Sequence, residues 1–418
     1  VQNINNFARI CIFCIIIVPL QRICISMVEE SMYIPEFEQY IRATEPDVRE
    51  RADIWRTAIG LQQVDRLTVS DFLKKTAERN IIGEISIDQA GDIVRTYYQS
   101  KENRLPDEED KEEADKVATN IARILGQESF TYSLAGLAAV HKQIFAGVFK
   151  HAGQFWQYDI TKKEWVLNGE TVLYTHYENI RITLEYDLEQ ERQFDYGSLS
   201  ITDAIEHIAK FVSGLWQIHP FAEGNTRTTA IFTIKYLRSM GFSQINNELF
   251  EKHSWYFRNA LVRANYRNLE KNINPDCAFL VLFLRNLLLG EQNELHNRTL
   301  HVDWNRKRTS PPTSPPTSTP TTLHVDIHSP QSLFYTDNDK VKRVIISLGR
   351  NKLSVKEIMV VCGLRDRKNF IEYSLNPAIS EGFVRMLYPD SPRHPKQKYL
   401  LTVKGLGWYD ENYKNNII

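Results

Sequence analysis

The stretch IHPFAEGNTRTTA, residues 218–230, sets His219, Glu223, Gly224 and Arg227 within nine positions, with Pro220 inside. Helical periodicity flanks it on both sides, in TDAIEHIAKFVSGLWQI before and TRTTAIFTIKYLRSMG after. This predicts a helix ending near Ile218, a proline-containing turn, and a new helix beginning near Gly224. The first turn of that second helix offers unpaired backbone N–H groups and the positive end of a dipole, which favour an anion. Gly224 lets the backbone come close to a ligand, and Arg227 adds a forked cation suited to phosphate. Glu223 is placed to hold Mg²⁺, which binds through one or two carboxylates plus substrate phosphates. His219, expected at the mouth with an ordinary pKa near ~6.5, can take a proton from an incoming hydroxyl. Base, metal ligand, anion hole and cation are the parts that phosphoryl chemistry needs.

Plainer readings exist for each residue. His219 and Glu223, four apart, could share a metal on one helix face, but Pro220 argues against continuous helix there. His219 alone could be a structural charge at a helix end. Glu223 and Arg227 could be a surface ion pair worth ~0.3–0.5 kcal/mol. The combination, in this order, favours a site.

Outward from the motif, residues 128–295 form the most hydrophobic block. TYSLAGLAAVHKQIFAGVF reads as a helix. QYDITKKEWVLNGETVLYT reads as strand-like, with Asn168-Gly169 as a hairpin signal between two apolar runs. SWYFRNALVRANY and CAFLVLFLRNLLLG are further helices. Upstream, from Met27 to about Leu125, the pattern is helical, with Ser86 as an N-cap and the charged PDEEDKEEADK (106–116) as a solvated connection. Downstream, RTSPPTSPPTSTPTT (308–322) is an extended linker flanked by two copies of LHVD, to which no function is attached. In the last part, LSVKEIMVVCGL carries Ser354 and Glu357 at capping-box spacing, and Gly363 makes a turn. RKNFIEYSLNPAISEG is a second helix and FVRMLYPDSPRHPKQKYLLT a hairpin, the order of a winged helix. The expected fold is therefore mainly α: a helical N-terminal region (27–125), a helical core with a β-hairpin flap (126–297), a linker (298–330) and a winged helix (331–418).

At 418 residues the chain is too long for one typical core, and 42% hydrophobic residues suffice for globular packing. Its 51 Lys and Arg nearly cancel 52 Asp and Glu, so no global field points to nucleic acid or membrane. Cys11, Cys14, Cys24, Cys277 and Cys362 provide only one close pair, which suggests free thiols in a reducing cytoplasm. The run ICIFCIIIVPL (10–20) is about half the ~20 residues that span a bilayer. Because the sequence opens on Val1, with Met27 at the start of ordinary soluble sequence, an over-extended start is expected for residues 1–26. An export signal is the alternative. No membrane partner is expected.

HPFAEGNTR closely resembles the signature of the Fic (Fic/Doc) family, His-x-Phe-x-Asp/Glu-Gly-Asn-Gly-Arg-x-x-Arg. HAGQFWQYDITKKEWVLNGETVLYT resembles that family's upstream segment and flap, so the likeness covers residues 128–295, about two fifths of the chain. The resemblance implies transfer of AMP from ATP to a Ser, Thr or Tyr hydroxyl of a protein target, or of the chain itself, with release of pyrophosphate. On it, His219 is the general base, Phe221 an apolar anchor and Glu223 the Mg²⁺ ligand. The Gly224, Asn225 and Thr226 region cradles phosphates, and Arg227 binds the outer ones. The flap from Lys162 to Thr175, led by Lys162, Lys163, Glu164 and Trp165, holds the target segment by strand addition. Two positions depart from the signature: Thr226 stands for the second glycine, and Ala230 for the final arginine. The departures leave open another phosphate-bearing donor, removal of AMP, or a fold that no longer catalyses and acts as a winged-helix regulator.

Some members of that family carry a blocking helix with the pattern Ser/Thr-x-x-x-Glu-Gly/Asn. Residues 50–98 resemble such an antitoxin-like region, mainly through GEISIDQAGDIVRTYY, yet the pattern itself is missing from the sequence. LQQVDRL (61–67) is the best-placed segment, with Asp65 standing for the glutamate and Arg66 for the small residue. The expectation is an N-terminal region that packs on the core and inhibits weakly or differently. Between Lys340 and Lys404 there are fourteen Lys and Arg against five Asp and Glu. Arg365, Arg367, Lys368, Arg393, Lys396 and Lys398 fit phosphate contacts with DNA, and a protein partner is the alternative.

Overall fold

In a computed structural model the chain is described over residues 37–41, 45–100, 111–242, 248–304, 334–388 and 391–412. The apolar run at 10–20, Cys11, Cys14, Cys24, the proline-rich segment and the second LHVD copy lie outside these residues, as does the charged connection up to residue 110. Helix dominates, and the sheet found among the described residues has two strands. No helix of the described residues is long and apolar enough to cross a membrane.

The N-terminal helices are α1 (Glu38–Ile41), α2 (Pro46–Gly60), α3 (Asp71–Ile81), α4 (Ile87–Gln99) and α5 (Glu112–Leu125). Their starts are written locally. Pro46 opens α2, Ser70 accepts from the Leu73 N–H to cap α3, and Ser86 with Gln89 closes a reciprocal capping box on α4. After Gly60, α2 tightens into a 3₁₀ turn, Leu61–Asp65, which stops where Arg66 takes the left-handed conformation.

The central block contains α6 (Leu134–Ile144), α7 (Ile180–Gln193), α8 (Ile201–Ile218), α9 (Asn225–Ser239), α10 (Glu248–Asn265), α11 (Ala278–Leu289) and α12 (Asn297–Leu300). Helix α9 is buried without a break from Asn225 to Leu237, with α5, α6, α8 and the 3₁₀ turn packed around it. Helix α2 lies against α5 and α10, and the Arg56 guanidinium donates to Glu251 at 2.5 Å, both side chains buried. Removing either partner would leave a buried charge without this close counter-charge, so the pair ties the N-terminal helices to α10.

The segment expected as a β-hairpin flap does reverse at Asn168-Gly169, where the Glu164 N–H donates to the Glu170 carbonyl at 2.9 Å. It forms no strand ladder: Trp165–Leu167 is a 3₁₀ turn, with Asn168 left-handed at its end. Val166 and Leu167 are both fully buried, and a strand would have sent one of two consecutive side chains outward.

The C-terminal elements are helices followed by a two-stranded antiparallel pairing and a last helix. They are α13 (Asp339–Leu348), α14 (Val355–Cys362), α15 (Arg367–Phe370), α16 (Asn376–Ser380), β1 (Val384–Met386), β2 (Tyr399–Leu401) and α17 (Val403–Asn412). Ser354 and Glu357 form the capping box that starts α14, and left-handed Gly363 ends it. A π-helical stretch, Ile371–Leu375, joins α15 to α16 just before Pro377, which has no N–H to continue an α-helical ladder. The strands pair antiparallel with Val384 opposite Leu401 and Met386 opposite Tyr399.

Candidate active site

Helix α8 ends because His219 turns left-handed (φ 53°), giving its N–H to the Trp216 carbonyl at 3.1 Å, and Pro220 follows without an N–H of its own. The turn is then held from three directions. The Asn225 side chain accepts from the Phe221 N–H at 3.0 Å and donates to the Phe221 carbonyl at 2.6 Å. Trp156 N–H donates to the Pro220 carbonyl at 3.0 Å. His141, from α6, accepts from the Gly153 N–H on Nδ1 (2.8 Å), which leaves Nε2–H to donate to the Glu223 carbonyl (3.0 Å). Its ring stacks on Phe221 at 3.8 Å, and burial lowers its pKa to about 4. His141 escaped the sequence reading because a lone histidine on an apolar helix face carries no spacing signal.

Gly224 caps α9 with φ 74°, and a Cβ there would fall 2.0 Å from Phe145 Cζ, so both conformation and space require glycine. Thr226 replaces a glycine of the signature without blocking the turn. Its hydroxyl faces inward and accepts from the buried Trp216 indole N–H at 3.0 Å. Ala230, one turn on, is fully buried.

The structure corrects the expectation of an imidazole at an open mouth. His219 is 4% exposed, beneath the Tyr174 ring at 4.1 Å and against the Trp216 edge at 5.3 Å. Neither ring nitrogen has a hydrogen-bond partner among the described residues. Burial holds its pKa well below the ordinary value, and the positive charges of Lys162 and Arg258 act in the same direction. The ring is therefore neutral and able to accept a proton once uncovered.

Glu223 and Arg227 are not a surface pair. Glu223 is largely exposed and meets Lys162 Nζ at 2.9 Å. Arg227 is 2% exposed. Its Nε lies 2.9 Å from Asp65 Oδ2, Nη2 donates to Glu113 at 2.8 Å, Nη1 donates to Gln62 at 3.1 Å, and Phe145 lies under the guanidinium. Of the four residues expected to lead the docking flap, Lys163 and Trp165 are exposed and Lys162 is half-buried on Glu223. Glu164 is the exception. It is 2% exposed and takes both its hydrogen bonds from Arg258 Nη2, at 3.0 and 3.2 Å, so it anchors the segment from below.

A neutral imidazole at the end of one helix thus lies by the amino end of the next, with the Glu223 carboxylate and the buried Arg227 guanidinium nearby. Residues 131–237, which include all of the motif, match the Fic/DOC family, and residues 339–402 match the description "Filamentation induced by cAMP protein Fic-like, C-terminal domain". The chain carries a Fic/DOC-family domain followed by a Fic-like C-terminal domain. Proteins with the former usually transfer nucleotidyl groups. The chain is also similar to a Fic family protein from Desulfovibrio desulfuricans G20 of known crystal structure, at 17% identity over 87% of this chain and 90% of that one, with a TM-score of 0.40. No curated protein matches.

Proposed function

We propose that the chain is a protein adenylyltransferase, moving AMP from ATP to a Ser, Thr or Tyr hydroxyl of a target protein or of itself. The observation that carries this reading is the pairing of a neutral His219 with the amino end of α9 across a turn locked by His141, Phe221 and Asn225. The accepting hydroxyl oxygen bonds to the α-phosphorus, the bond from that phosphorus to the bridging oxygen breaks, and pyrophosphate leaves. The hydroxyl proton passes to the His219 imidazole. First-turn N–H groups of α9 and Arg227 would stabilise charge on the phosphates.

A single exposed carboxylate fits a cation held mostly by phosphate and water, and no cluster of three or more metal-ligating side chains exists among the described residues. Glu223 would thus hold Mg²⁺, whose chemistry is charge neutralisation on the phosphates. Lys162 must release Glu223, and Tyr174 must leave His219, before both substrates fit. Label from α-³²P-ATP should appear on protein only with Mg²⁺ and disappear in His219→Ala. Label retained by that variant would sink the reading. ATP, UTP, GTP and CDP-choline compared as donors will fix the nucleotide.

For the C-terminal domain, exposed Arg365, Arg367 and Lys368 before and at the start of α15, with Arg393 and Lys396 between the strands, support contact with DNA phosphates. Duplex affinity should fall steeply from low to moderate salt. A flat response would point to a protein partner and leave the basic face merely solvated.

A further inference from the structure

A cleft of about 200 Å³, lined by none of the motif residues, lies between α4, α5 and the turn that follows α6. Three cations line it, Arg95 of α4 with Lys116 and Arg123 of α5, and among the described residues no carboxylate does. Their counter-charges stand outside. Arg95 Nη2 meets Asp92 at 2.6 Å, Lys116 Nζ meets Glu112 at 2.5 Å, and Arg123 Nε meets Asp88 at 3.0 Å. In each pair the carboxylate is the more exposed partner, most of all Asp88, at 82% against 31% for Arg123. Water therefore weakens the rim pairs, while charge of one sign faces the cleft and concentrates its field there.

The walls are fixed by short-range contacts. The Asn120 side chain donates to the carbonyls of Ile144 (3.0 Å) and Ala146 (3.1 Å) and accepts from Arg123 Nη1 at 3.3 Å. Lys116 reaches the Gly147 carbonyl at 3.4 Å. An independent observation comes from Gly91, in the interior of α4, where glycine lowers helix stability relative to alanine. A Cβ at this position would fall 2.4 Å from Arg123 Nη2, so the bare backbone leaves room for the guanidinium to lie over the helix at the cleft.

We propose that this cleft is a separate anion site for a compact phosphate-class ligand of two or more negative charges, such as pyrophosphate, free or at the end of a nucleotide. Arg95 and Arg123 offer forks from two different helices, and Lys116 adds a point charge. A ligand there joins α4 and α5 to the turn that begins at Phe145, the ring that lies under Arg227 and against Gly224. The site uses no group of the transferase reading and stands independently of it.

The test is calorimetric titration of the full chain with inorganic pyrophosphate, without Mg²⁺ and at fixed ionic strength. Arg95 is 61% exposed, so Arg95→Gln leaves the packing intact. It should weaken binding about tenfold, with Arg95→Lys recovering part of the loss. Gly91→Ala should weaken binding by a similar factor because it displaces Arg123, in a protein whose Tm is no lower. Pyrophosphate should raise the Tm of the unaltered protein in proportion to its occupancy, and raise it less in both variants. Absence of binding to the unaltered protein, or unchanged affinity in Arg95→Gln or in Gly91→Ala, overturns the proposal; in the second case bound pyrophosphate belongs to the motif. ADP then distinguishes the source of the anion. Sensitivity of ADP binding to the same substitutions shows a nucleotide-borne ligand, and insensitivity confines the site to the free ion; either result supports the cleft once pyrophosphate binding depends on Arg95 and Gly91.

Discussion

His141 occupies both of its ring nitrogens in holding the turn, one accepting from Gly153 and the other donating to Glu223. A second proton would destroy the acceptor that Gly153 uses. The folded-state pKa of about 4 lies below the unfolded value near 6.5. Its stabilising contribution is therefore whole above about pH 6.5, where the ring is neutral in both states, and is lost as pH falls toward 4. The upper bound is ~3 kcal/mol, from the shift alone. His219 titrates with the same sign. Urea unfolding at about pH 7 and about pH 4.5 should show this loss, and His141→Gln should flatten the slope between them; an unaltered slope would clear His141 of the effect. Thr226 makes a separate prediction. Thr226→Val leaves the buried Trp216 indole N–H without an acceptor and should cost ~1–3 kcal/mol, with Thr226→Ser recovering most of it. Equal stability of the Val and Ser variants would show the bond to be unimportant. The sequence identifies Thr226 as foreign to the signature but is silent on its partner, because Trp216 belongs to the preceding helix across the turn.

Among elements, the segment from Lys162 to Tyr174 shows what a linear reading can and cannot supply. Asn168-Gly169 announces the reversal because left-handed backbone is cheap for those residues, and both take positive φ. The strand expected around it fails because burial of consecutive Val166 and Leu167 is a tertiary outcome with no local period. Helix ends were legible for the same local reason: Ser86 with Gln89, Ser354 with Glu357, and Pro220 act within one turn. The candidate residues were legible as a cluster, but their partners were not. Glu113 reaches Arg227 from far upstream, and Glu164 turns inward only because Arg258 is beneath it. Tyr174 now covers the imidazole as part of this segment. Tyr174→Ala should return the His219 pKa toward ~6.5 by restoring water to the ring. Proton NMR titration of the histidine resonances follows this directly. An imidazole still neutral near pH 5 in that variant would mean that Trp216 and the loop alone seal it.

For the whole molecule, the C-terminal elements brace the helix that ends at His219. Helix α17 packs on α8, and Arg350 donates to the carbonyls of Gly197 (2.8 Å) and Leu199 (2.9 Å), immediately before α8 begins, while also holding Asp410. A second contact lies just beyond α9, where two backbones meet at Gly241 and Gly382. A Cβ on Gly241 would come within 1.6 Å of the Gly382 carbonyl oxygen, and its φ of 94° is itself hostile to a side chain. The obstacle is backbone, so no flexible side chain can yield. Gly241→Ala must therefore separate the two surfaces or distort the end of α9. Calorimetry should show either a fall in Tm of roughly 5 °C or more, or a second transition as the C-terminal domain melts on its own. Trp408, 7% exposed in α17, reports which occurs through its fluorescence. Arg350→Lys, which keeps the charge but loses the fork that holds the two carbonyls on Nη1 and Asp410 on Nη2, should shift the same transition by less. A Gly241→Ala protein with one unaltered transition would show that the C-terminal domain does not rest on this contact, and the bracing of α8 would then fall to Arg350 and α17 alone.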